Sequence, residues 1–183
     1  MLSIHGPTGR LALLACALLL SAGCDSTDDD DAVAPGGNAC VSGSMTATAD
    51  GSAFAAECVS LQINSGVLSV VGITNVDGSD GATQRQIQLT VPGASVGTAS
   101  APIGFTAVYS DAELSGGAQV SGTTTAGLSG SIELTALTDD RAAGTFSFSG
   151  SEFEISAGAG TPGSGTPTGR TVSVTGGTFD VEL

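Results

Sequence analysis

The chemistry open to this chain is set by four cysteines, a single histidine, His5, no lysine and 18 acidic residues. One candidate for catalysis is the pair Glu152 and Glu154. They lie two apart in an alternating stretch, so they share one strand face at roughly 7 Å. Glycosidase carboxylates work at separations of about 5 to 10 Å. Sugar clefts also use aromatic platforms, and the chain has no Trp and one Tyr. The expectation is therefore a non-enzyme, with a carboxylate-based hydrolase as the alternative. A second candidate is Asn75-Val76-Asp77-Gly78-Ser79-Asp80-Gly81, where Asn75, Asp77, Ser79 and Asp80 offer oxygen ligands in a Gly-bent loop. Calcium wants six to eight oxygens. The distal Glu of an EF-hand loop is missing, and a plain Asp-Gly turn is the competing reading. No other cofactor is expected.

Charge and composition close several routes. The formal net charge of −14 excludes nucleic acid as a partner, because phosphate binding needs clustered Lys and Arg. If the N-terminal stretch containing His5 is removed, no His or Lys remains. Ser-His-Asp and Cys-His catalysis, Lys Schiff bases and His-ligated metals then go with it. Carboxylates, hydroxyls, Tyr109, Arg85, Arg141 and Arg170 are what is left.

That stretch has the form of an export signal. Arg10 precedes Leu11 to Leu20, LALLACALLL, ten apolar residues in a row. This is about half the roughly 20 residues needed to cross a bilayer, and small residues follow at once. The run LLSAGC resembles the lipobox of bacterial lipoprotein signals, with Ser21 where such boxes usually carry Leu. The resemblance implies cleavage after residue 23, a diacylglyceryl group on the Cys24 thiol and acylation of the new amine. The membrane, reached through this anchor, is the expected partner. The expected location is the cell envelope, at the outer membrane or cell surface ahead of the inner membrane. Residues 25–39, DSTDDDDAVAPGGNA, hold four consecutive Asp and then Pro, Gly and Gly. They read as a flexible acidic tether of roughly 20 Å.

Cys16 leaves with the leader and Cys24 takes the lipid. Cys40 and Cys58 remain as an even pair in an exported domain, where disulfides persist. A bridge would close a loop of 17 intervening residues. Two free thiols or a metal site are the alternatives, and two thiolates alone do not fill a coordination shell.

Residues 40–183 read as one all-β domain, an antiparallel sandwich or barrel of about nine or ten strands. Gln86 to Val91, Ser131 to Thr135, Thr145 to Phe148, Glu152 to Ile155, Thr171 to Val174 and Thr178 to Leu183 each alternate apolar with polar. Val67 to Ile73 is more uniformly apolar and reads as a central strand. Asp50-Gly51 signals a hairpin. Glu133, Glu152, Glu154, Asp180 and Glu182 fall on the polar faces and are expected in solvent. Ala157 to Arg170 is rich in Gly, Pro, Thr and Ser and reads as a loop.

Three stretches resemble an uncharacterised family of small bacterial lipoproteins with a β-rich domain. They are Met45 to Phe54, Arg141 to Phe148, and Val172 to Val181. The resemblance implies an envelope β domain and brings no catalytic residues. The functional expectation is a structural or binding role, with a hydrolase or a Ca²⁺-stabilised adhesion or ligand-binding module as alternatives.

Overall fold

The structure is a computed structural model that describes residues 40–78, 81–115, 118–156 and 165–183. The leader, Cys24, the acidic tether, Ser79, Asp80 and residues 157–164 lie outside the described residues. Within them the chain forms ten strands and no helix. In order these are β1 (Ser42–Ala49), β2 (Ser52–Ala55), β3 (Cys58–Asn64), β4 (Val67–Gly78), β5 (Gly81–Pro92), β6 (Gly97–Ser100), β7 (Thr106–Ser115), β8 (Ala118–Leu137), β9 (Arg141–Ser156) and β10 (Thr166–Glu182). The expected antiparallel all-β class is what the chain adopts.

One sheet carries the order β2-β1-β10-β9-β8-β7-β5-β4-β3, with β6 paired to β8 beyond the reach of β7. β8 therefore serves two neighbours on one edge, β7 through Ala126 and β6 from Ser131. The sheet curls until β3 meets the start of β1. A single bridge, Val41 to Val59, joins them, so the curl stops short of a closed barrel. Cys40 and Cys58 are disulfide-bonded across this seam, with Cα atoms 5.2 Å apart. β4 is next to the edge strand β3 rather than central, and its apolar run fills the core near the seam.

The alternation predicts the core well. Met45, Phe54, Leu68, Val70, Ile87, Leu89, Ile132, Leu134, Val174 and Val181 are all at or below 2 % exposure and point into the concave face. The Asp50-Gly51 turn has positive φ at both residues, 49° and 82°, as a tight two-residue hairpin requires. β10 shows how one strand keeps two apolar runs on one side. Val172 and Val174 fall on even positions, Phe179 and Val181 on odd ones. A bulge at Gly176, φ 59°, inserts the extra residue, so Val174 pairs with Phe148 while Gly177 pairs with Phe146. Gly177 must stay small there, because a Cβ would lie 2.5 Å from the Phe146 ring.

β9 has the same change of parity and no bulge of its own. Its pairing to β10 runs unbroken from Phe148 to Ser151, and the compensating shifts lie in β8 and β10. Phe146, Phe148, Gly150 and Glu152 thus share the concave face. Glu152 is 5 % exposed, which corrects the expectation that it lies in solvent. Glu133, Asp180 and Glu182 are exposed as expected. The loop expected to run to Arg170 is shorter, since β10 begins at Thr166.

The disulfide joins the two edges that no ladder connects. Replacing Cys40 and Cys58 together by Ser is expected to lower unfolding stability by about 3 kcal/mol on the chain-entropy estimate. Urea denaturation of the oxidised protein and the variant measures this.

Candidate functional site

The inner face changes character toward one end of the curl. On β5 the row Val91, Leu89, Ile87 continues into Arg85. Phe105, just before β7, and Ala107 within it continue into Tyr109, Asp111 and Glu113. On β9 Phe148 continues through Gly150 into Glu152 and Glu154. The ladder pairings align these positions. Ile87, Tyr109, Thr125 and Glu152 form one transverse row, and Arg85, Asp111, Thr123 and Glu154 form the next. The dry interior therefore opens into a polar cleft of about 490 Å³, within the range of small-molecule sites. Asp50, Thr168 and Arg170 close its other wall.

β10 brings Thr168 and Arg170 into place by a local distortion. Between Pro167, opposite Phe153, and Thr171, opposite Ser151, three residues face Glu152 alone. Gly169 takes φ 77° within this bulge, which favours glycine. The Thr168 hydroxyl donates to Glu152 Oε2 at 2.8 Å, and Arg170 donates to Oε1 at 3.4 Å. Arg170 also donates to Asp50 Oδ2 at 2.8 Å. A buried carboxylate without donors is costly, and this arrangement supplies two. Glu152 and Glu154 both line the cleft, but the former is held by its neighbours.

The opposite wall is more loosely bonded. Tyr109 donates to Asp111 Oδ2 at 3.5 Å, and Arg85 Nε lies 3.4 Å from the same oxygen. Burial raises the Tyr109 phenol above its usual 10.0, and the adjacent Asp111 charge adds to the rise. Glu113 accepts a hydrogen bond from Ser121 at 2.6 Å. Among the described residues neither Glu113 nor Glu154 has an ion-pair partner.

The calcium candidates fall elsewhere. Asn75 and Asp77 lie in β4, paired with Gln84 and Ala82 of β5. The Asn75 backbone N–H donates to Glu57 Oε2 at 3.1 Å, and its side-chain carbonyl accepts from Gln84 at 3.3 Å. Among the described residues no group of three His, Cys, Asp or Glu is placed to hold a metal ion. On the outer face, Arg141 forms a two-point bond to Asp180 at 2.9 and 2.8 Å, which draws the Asp180 carboxyl below its ordinary range.

The sequence reading named Arg85, Tyr109 and Arg170 among the residues left for chemistry and did not gather them into a site. The signal was present in part: Arg85 shares the parity of Ile87 and Leu89, and Asp111 shares that of Ala107 and Tyr109. Compared with family models, curated proteins and solved structures, the chain matches none.

Two measurements check this geometry. Tyr109 is the chain's only tyrosine, so tyrosinate absorbance reads it alone. Its midpoint is expected above 10.0, and Asp111→Asn should lower it only in part, because burial is the larger cause. With the folded value above the unfolded one, the stabilisation is complete below the unfolded value and is lost as pH rises through the folded one. Arg170→Ala is expected to cost about 1–3 kcal/mol by leaving Glu152 short of a donor. Adding Glu152→Gln should recover part of that loss in a double-mutant cycle by urea denaturation.

Proposed function

We propose that this chain is a lipid-anchored protein of the bacterial cell envelope with a binding rather than an enzymatic role. The observation that carries the anchor is the run LALLACALLL followed by Ser21-Ala22-Gly23-Cys24. Each buried CH₂ of an acyl chain contributes about 0.8 kcal/mol, and two or more chains give stable anchoring. The observation that supports binding is the polar cleft at the mouth of the curled sheet.

The two parts have a simple spatial relation. The tether would lead into Cys40, just before β1 starts at Ser42 opposite Glu182. The cleft lies at the far end of β1, beside Ala49 and Asp50. Eight strand residues separate these ends by about 26 Å. An anchored molecule of this shape can turn its mouth away from the membrane that holds it. The hydrolase alternative has Glu152 and Glu154 in one cleft in its favour. Against it, the Thr168 and Arg170 bonds commit the Glu152 carboxylate to positioning.

Mass spectrometry of the mature protein tests the reading. The expected product begins at Cys24, lacks residues 1–23 and carries the mass of acyl chains, while Cys24→Ala stays unprocessed. A soluble mature chain with a free Cys24 thiol would overturn it.

A further inference from the structure

Three arginines lie among the described residues, and they are satisfied unequally. Arg141 and Arg170 are 47 % and 62 % exposed, and each makes close hydrogen bonds to carboxylates. Arg85 is the most buried, with a side chain 26 % exposed. Its side chain makes no hydrogen bond among the described residues, and its buried Nε has only an ion-pair contact. Its single ion-pair contact is the 3.4 Å approach to Asp111, whose same oxygen also serves Tyr109. A guanidinium carries five donors in a fixed fork that matches a carboxylate. Of these donors only Nε is buried without a hydrogen bond, which is unfavourable, and the others border the open cleft.

Charge decides what can fill them. The cleft holds five carboxylates, Asp50, Asp111, Glu113, Glu152 and Glu154, against the guanidiniums of Arg85 and Arg170, a formal charge of −3. Such a field repels a simple anion. A simple cation would suit Glu113 and Glu154 but leave Arg85 as it is. A molecule with both charges meets both needs. The spacing agrees: Arg85 and Glu154 share a transverse row, three strands apart. That is about 14 Å between their backbones along the sheet. Both side chains line the cleft.

We propose that the cleft binds a small zwitterion, its carboxylate forked on Arg85 and its ammonium on Glu154. The ligand class is thus a free amino acid or a short peptide, which share this chemistry. The proposal rests on the cleft being the binding site and gives that reading a ligand.

The test uses the full mature chain in detergent, with calorimetry and the fluorescence of Tyr109 in the cleft wall as readouts. The probes are alanine, dialanine and aminohexanoate, with butyrate and diaminobutane as controls of one charge sign. At least one zwitterion is expected to bind about tenfold or more tightly than either control. Arg85→Gln and Glu154→Gln should each weaken it by about tenfold or more. Preference for alanine assigns free amino acids, and preference for dialanine assigns peptides. If Arg85→Gln does not fold, Glu154→Gln, at an exposed position, carries the comparison alone. Binding of no zwitterion, equal binding of a control, or affinity unchanged in the folded variants overturns the proposal. Processing at Cys24 is read separately, so an anchored protein that ignores every zwitterion removes the ligand and leaves the anchor standing.

Discussion

A curled antiparallel sheet has one inner face, and everything on it must be either dry or compensated. The rest of this molecule depends on that constraint. Over most of the strand length the inner rows are Val, Ile, Leu, Met and Phe, and they supply the core. At one end the same rows carry Arg85, Asp111, Glu152 and Glu154 in aligned positions. The inner face cannot revert to solvent there without uncurling the sheet. The ionisable residues are therefore held in a cleft by the same register that holds the core, and Thr168 and Arg170 compensate the most buried of them.

The class of fold was legible in the sequence because alternation is a property of single strands. So were the Asp50-Gly51 hairpin and most of the core. What could not be read was how a change of parity is absorbed. β10 and β9 each switch apolar residues from one parity to the other, and each has glycine near the switch. β10 bulges at Gly176 and keeps Phe179 inside. β9 stays regular, so Phe153 turns away from the core row and Glu152 turns in. The difference lies in the partners, since the irregularities opposite β9 belong to β8 and β10. A local pattern contains no record of what the neighbouring strand will do.

The site was hidden for a related reason. Arg85, Tyr109, Asp111, Glu152 and Arg170 come from four strands spread over 86 residues of sequence. No motif links them; only the ladder pairings do. Arg170 also depends on the Thr168–Arg170 bulge, in a segment whose Gly, Pro and Thr content reads as loop. The disulfide was easier to anticipate, because Cys40 and Cys58 are an even pair within the β domain and two thiolates alone do not fill a metal site.

The seam between β1 and β3 has a mechanical consequence. Any pull on the chain upstream of Cys40 would, without the bridge, act on the first residues of β1 and peel them from β10 one pair at a time. The Cys40–Cys58 bond diverts part of that load into β3, which is laced to β4 over its whole length. Tension is then shared between the pairs of β1 with β10 and the seven pairs of β3 with β4.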